Sequence, residues 1–173
     1  MLTRSLSPIF SVVLLAIIAP MSTAADRPNI AIILADDLGY GSLNSYGADE
    51  AHIRTPNIDR LAQSGRRFTD ASTPSSVCSP TRYGLLTGRY DWRTDQKHGV
   101  LNTTDPLHIE TSRSTIASLL KLAGYRTAAI GKWHHGYGSE RHDFRKPLTP
   151  GPLDIGFDYH FSVPQNHGDA SGV

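Results

Sequence analysis

The apolar positions of this chain fall into a few distinct patterns. Residues 29–35, NIAIILA, form a short, nearly continuous apolar run that ends in Asp36 and Asp37. Such a run predicts a strand buried on both faces, as in a parallel sheet between helices. Residues 55–65 follow with Thr55 as a candidate N-cap, Pro56 at the first helical position and Gly65 as the stop. Ile58, Leu61 and Ala62 give that helix an apolar stripe. Residues 67–71 read as a short strand. A short helix then opens at Ser79 and Pro80, carries Leu85 and Leu86, and stops at Thr87-Gly88. Residues 90–113 are polar and read as loop. A second amphipathic helix begins at Ser114, with Ile116, Leu119, Leu120 and Ala123 at i, i+3, i+4 and i+7, and closes at Gly124. Residues 125–130 predict the next strand. A buried strand, a helix and a further strand argue for an α/β layer fold.

The N-terminus departs from this pattern. Arg4 precedes an apolar run over residues 9–19, and Pro20-Met21-Ser22-Thr23-Ala24-Ala25 follows. That is the layout of an export signal, with cleavage near Ala24 or Ala25. The run is short for a membrane span. Residues 1–25 are therefore set apart from the fold, and no membrane span is expected after cleavage. The formal net charge is +1 with no basic block, which argues against nucleic acid as a partner. The chain has one cysteine, Cys78. An exported chain with one cysteine cannot staple itself with an internal disulfide, so Cys78 calls for a reason of another kind.

Three stretches carry candidate chemistry. Cys78 falls at a helix start, where unpaired N–H groups favour an anion, and Arg82 returns to the same face four residues later. A buried structural cysteine beside an exposed arginine is the plain alternative. Asp36 and Asp37 sit at the carboxyl end of the predicted strand, where ligands bind in open α/β sheets. Adjacent carboxylates repel unless a cation compensates them, and hard oxygen donors suit calcium or magnesium; a solvated turn explains them equally well. Lys132 and His134 end the later strand and point the same way if that strand continues. Asn102-Thr103-Thr104 fits a glycosylation sequon and is read as loop.

Cys78-Ser79-Pro80-Thr81-Arg82, followed by Thr87-Gly88-Arg89, resembles the signature of the type I sulfatases. The stretch ILADDLGYG resembles their N-terminal metal motif, with Ser42 where Asp is usual. Gly131-Lys132-Trp133-His134-His135-Gly136 resembles their G-K-W-H-L-G motif, with His135 in place of Leu. Residues 154–161 resemble a G-F-D structural segment. The resemblance runs from Pro28 to the end.

That resemblance implies an alkaline-phosphatase-like α/β sandwich with a largely parallel central sheet, incomplete in this chain. It implies that Cys78 is converted to formylglycine by a formylglycine-generating enzyme before folding. The hydrated aldehyde then attacks sulfur, with Asp36, Asp37 and the residue at 78 on a divalent cation, usually calcium. Arg82 and Lys132 are implied as charge stabilisers and His134 as the base. Asn166 and His167 are implied as substrate contacts, with a polar loop as the alternative. His135 receives no role. The implied substrate is a sulfated small molecule or carbohydrate, and the implied location is periplasmic or extracellular. A formylglycine-dependent phosphonate or phosphodiester hydrolase is an alternative, as is a non-catalytic exported metal-binding domain. The chain carries no candidate for the family's second metal-ligand pair. It is therefore expected to be an N-terminal portion, over residues 26–173, that catalyses and folds poorly alone.

Overall fold

The computed structural model describes residues 27–165. The expected leader over residues 1–25, and Asn166 and His167, lie outside the described residues. The chain divides at Ala35 into two units. Residues 27–35 are extended and exposed and join no sheet, with Ile33 92% accessible. This corrects the expectation of a buried strand. A strand needs a hydrogen-bonded neighbour, and apolar content alone does not supply one.

In the second unit, two 3-10 turns, Tyr40–Ser42 and Asn44–Tyr46, lead to helix α1, Pro56–Ser64. Thr55 precedes α1 but does not cap it with its side chain. Its hydroxyl is taken by Asn44 and Asp59 instead, at 3.1 Å. Residues 67–71 form no strand, a second correction. The Phe68 carbonyl accepts the Tyr46 hydroxyl at 2.8 Å rather than a ladder partner.

Helix α2 spans Cys78–Thr87 with Val77 as N-cap, so it starts earlier than Pro80 suggests. Ser79 is inside the helix rather than capping it. Its hydroxyl is fully buried and accepts the Leu101 N–H at 3.1 Å. Gly88 closes α2 in the left-handed conformation, φ 64°. The polar stretch that follows is more ordered than its composition suggests. It contains a 3-10 turn, Asp91–Arg93, and buries Asp91, Leu101, Thr103 and Ile109.

Helix α3 spans Ile116–Leu122. Thr115, not Ser114, caps it, through a reciprocal pair with Ser118. Strand β1, Ala128–Lys132, begins three residues later than expected and runs on to Lys132. It pairs in parallel with β2, Tyr159–Val163, placing Ala128 opposite Tyr159, Ile130 opposite Phe161 and Lys132 opposite Val163. Among the described residues these two strands are the whole sheet. The core lies to one side of it, built from Tyr83, Ile109, Trp133, Tyr137 and Ile155, with Leu86, Leu107, Leu148 and Phe157 against them. No helix among the described residues is long and apolar enough to cross a membrane.

Candidate active site

Three separate parts of the chain deliver the charged groups of the site. Asp36 and Asp37 open the second unit. Helix α2 brings Cys78 in its first turn and Arg82 one turn later. Strand β1 brings Lys132 at its carboxyl end. The Lys132 ammonium lies 2.8 Å from Asp36 Oδ2 and 3.0 Å from Cys78 Sγ. The Arg82 guanidinium donates to the same Asp36 oxygen at 2.7 Å and to the Lys132 carbonyl at 2.6 Å. One carboxylate oxygen thus joins both cations, and Arg82 ties the end of β1 to α2.

The electrostatics follow from this pairing. Hydrogen bonds from Lys132 and then Arg82 hold the Asp36 carboxyl well below the usual carboxylate range. Burial works against the charge on Lys132, but Asp36 and Cys78 outweigh it and raise its pKa. Among the described residues, Arg82 Nε is buried without a partner, although both other guanidinium nitrogens are used.

His134 reaches the corner by a different route from the one the alternation predicts. The strand stops at Lys132, and His134 sits at φ 58°. The backbone holds this left-handed turn by donating from His134 N–H to the Pro164 carbonyl at 2.9 Å. The Trp133 indole donates to the Gly136 carbonyl at 2.9 Å. Gly136, at φ 70°, lies against the carbonyls of Asp105 and Pro106, where any Cβ would collide. His134 is buried, and its Nε2 lies 2.9 Å from the Leu101 carbonyl. A carbonyl only accepts, so Nε2 carries the proton and the neutral ring keeps its lone pair on Nδ1. That Nδ1 is buried without a partner among the described residues. Burial, followed by the nearby charges of Lys132 and Arg82, lowers the His134 pKa. His135 is fully buried against the Trp133 ring at 5.1 Å, and burial pushes its pKa down further still.

Ligand atoms of Asp36, Asp37 and Cys78 all lie within 4.8 Å of one another. Two carboxylates suit calcium or magnesium, and a thiol does not. An oxygen-bearing residue at position 78 makes the donor set consistent. Asp36 Oδ2 is committed to the two cations, while Oδ1 faces Cys78 Sγ at 3.9 Å.

The sequence pattern did not reveal two sets of contacts that support this corner. Ser79 and His134 both bind the backbone of Leu101, one at its N–H and one at its carbonyl. His108 Nε2 reaches buried Asp91 at 2.9 Å and packs beside Tyr83 at 5.1 Å, directly after Arg82. A buried aspartate seventeen residues before a histidine carries no local signal of their contact.

Comparison with known proteins gives the family of the chain. A family model described as sulfatase matches residues 28–170. N-acetylgalactosamine-6-O-sulfatase of Bacteroides thetaiotaomicron is 46% identical over 141 residues, covering 81% of this chain and 27% of that protein. Human arylsulfatase A is 40% identical over 154 residues, covering 89% of this chain and 28% of that protein. A solved Bacteroides thetaiotaomicron structure from work on the metabolism of multiple glycosaminoglycans superposes with a TM-score of 0.71 at 46% identity, over 75% of this chain and 27% of that one. Ps i-CgsB in complex with k-i-k-neocarrahexaose superposes with a TM-score of 0.60 at 36% identity, over 74% of this chain and 26% of that one. The chain thus spans about a quarter of the length of the curated relatives it matches. Its α/β fold, its parallel strand pair and the sequence match together establish that the chain belongs to the sulfatase family.

Proposed function

We propose that this chain is the nucleophile-bearing part of an exported sulfuric ester hydrolase acting on sulfated carbohydrates. The observation that carries this reading is the junction of Lys132 with both Asp36 and Cys78, at 2.8 Å and 3.0 Å. Residues far apart in sequence meet there, with Arg82 completing the group. Formylglycine at position 78, hydrated, supplies an oxygen nucleophile for sulfur and a second hydroxyl for release of sulfate. A divalent cation on Asp36, Asp37 and the oxygen at 78, calcium or magnesium, supplies charge that favours the ionised nucleophile.

The chain's own residues do the rest. Lys132 has three donors and two fixed partners, so it holds the group at 78 in place and keeps a donor for a sulfuryl oxygen. Arg82 fixes Asp36 and adds positive charge beside that oxygen. His134 is neutral near pH 7 because its pKa is lowered, and Nδ1 is the atom that can take a proton. Its Nε2–H stays on Leu101 and sets the direction of the ring.

The carbohydrate substrate is supported by the relatives. One is named for N-acetylgalactosamine 6-O-sulfate, and one solved structure holds a neocarrahexaose. The apolar leader supports export, and conversion at Cys78 requires a formylglycine-generating enzyme as partner. The test is to make the full-length gene product with and without that enzyme. Peptide mass spectrometry then reads residue 78, and turnover is compared on aryl sulfate, phosphate diester and phosphonate. Aldehyde at 78 and sulfatase turnover only in the converted sample is the expected result. Full turnover from the unmodified thiol, or a preference for the phosphorus esters, overturns the reading. Loss of both bound metal and turnover in the Asp36→Ala, Asp37→Ala double variant tests the cation site separately.

A further inference from the structure

The turn that follows α2 displays an aromatic pair that the site does not use. Tyr90 and Trp92 stack nearly parallel, with centroids 3.9 Å apart and planes inclined by 15°. Both are about half exposed, at 50% and 53%. Large exposed rings held face to face are a more informative surface feature than scattered single apolar residues.

The turn is built rigidly. Asp91, between Tyr90 and Trp92 in sequence, is buried and held by His108 at 2.9 Å. The Thr94 N–H and hydroxyl both close on the Asp91 carbonyl, at 2.8 Å and 2.6 Å. Arg89 donates to the Arg93 carbonyl at 2.9 Å. The rings are therefore carried by a 3-10 turn clamped at its centre to the core.

Positive charge is fixed beside them. The Lys97 ammonium donates to the Trp92 backbone carbonyl at 3.2 Å, which ties a cation to the same turn and leaves it further donors. Arg93 is exposed in the same turn, and His98 follows Lys97 at the surface. Asp95 is the one exposed carboxylate of that stretch, against Arg93 and Lys97. Helix α2 has ten residues, so the turn lies about 15 Å along the helix from Cys78. The chain then returns to Leu101, which Ser79 and His134 hold at the corner. The loop from the aromatic pair back to the candidate site thus carries Arg93 and Lys97 against Asp95.

We propose that Tyr90 and Trp92, with Lys97 and Arg93, form a second carbohydrate-binding site for a sulfated polysaccharide, separate from the candidate active site. The apolar face of a sugar ring stacks on the aromatic plate, and a sulfate group meets the cations. Each element alone is common on surfaces. Here an exposed aromatic pair, Arg93 and the tethered Lys97 occupy one clamped turn and the residues just after it, and together they match a ligand that is both apolar on its ring faces and anionic on its substituents. The inference rests on the sulfated-carbohydrate reading above and adds polymer anchoring to it.

The test uses the converted full-length gene product and compares it with Trp92→Ala, with Tyr90→Ala combined with Trp92→Ala, and with Lys97→Ala. Retardation in native gels containing chondroitin sulfate, or its desulfated counterpart, measures polymer binding. Turnover of a small aryl sulfate measures the active site. The expected result is at least about tenfold weaker retention for the aromatic variants and about threefold for Lys97→Ala, with a shallower salt dependence in the latter. Aryl sulfate turnover stays within about twofold of the parent. Unchanged retention overturns the proposal. So does a joint fall of aryl sulfate turnover and thermal midpoint, which would mark the pair as packing within the longer protein. A parent that cleaves no sulfate ester but loses polymer retention on Trp92→Ala would sink the functional reading and leave this site standing.

Discussion

Two parts of the same short sheet, its carboxyl end and its middle, behave oppositely. At and just past its carboxyl end, β1 delivers Lys132, Trp133 and His134 into a corner closed by α2, the Leu101 backbone and the loop at 105–108. Only two residues before Lys132, Ile130 is 74% exposed, and its cross-strand partner Phe161 is 73% exposed. The corner is finished by residues that bind backbone: Ser79 and His134 on Leu101, Arg82 on Lys132. The sheet face has apolar side chains and no such closure among the described residues. The difference teaches that the candidate site is held by loop carbonyls and helix ends rather than by the breadth of the sheet.

Neighbouring residues on one strand make this comparison breakable. In the full-length gene product, on the proposed function, Lys132→Ala is expected to lower turnover by about a hundred- to a thousandfold, on the scale of lost transition-state charge stabilisation. Ile130→Ala is expected to change it less than about threefold. An equal loss from both would show that the sheet face belongs to the site. Stability should divide in the same way. Trp133→Ala removes a buried ring and is expected to cost about 3–5 kcal/mol in denaturant unfolding, while exposed Ile130→Ala costs about 0.5 kcal/mol or less. A large cost at Ile130 would mean that this face is covered. Ser79→Ala leaves the buried Leu101 N–H without its acceptor, at about 1–3 kcal/mol. Its activity should fall mainly through kcat, because His134 hangs on the same residue.

The smallest expected effect concerns pH. His134 and His135 have folded pKa values lowered from 6.5, so the unfolded chain binds their protons first as pH falls. Their contribution to stability is full above about 6.5 and is lost as pH drops from there toward the folded values. Asp36 adds to this only at lower pH, below about 4, because its folded pKa is depressed from 3.8. His135→Leu should flatten the slope of unfolding midpoint against pH below about 6.5. An unchanged slope would show that His135 is not the group titrating there.

Much of the corner was legible in the sequence. Cys78 and Arg82 at helical spacing, the paired aspartates and Lys132 after an apolar run are local patterns, and the structure brings them together. Helix stops at Gly65 and Gly88 were equally readable, because chain conformation there is decided by one residue. Apart from the cap of α3, which shifts by one residue, the larger misses are non-local. Residues 29–35 and 67–71 have strand composition, but pairing depends on a partner that composition does not name. The strand alternation that aligned Lys132 with His134 fails because the backbone reverses at His134. Nothing local announced that Pro164 and Leu101 would hold that reversal. Ser79 looked like a cap and is a buried acceptor for a residue twenty-two positions away.

The double pairing of Asp36 has a thermodynamic consequence. With Asp37, Arg82 and Lys132, the corner's formal charges cancel. A neutral corner has little field with which to draw in an anion. A divalent cation bound to the two carboxylates would make it positive, so cation and anion would each strengthen the other's binding. Linkage requires the two effects to be equal. Inorganic sulfate should therefore raise the apparent affinity for calcium by the same factor by which calcium raises the affinity for sulfate. Where the cation is scarce, sulfate would help to keep it in place.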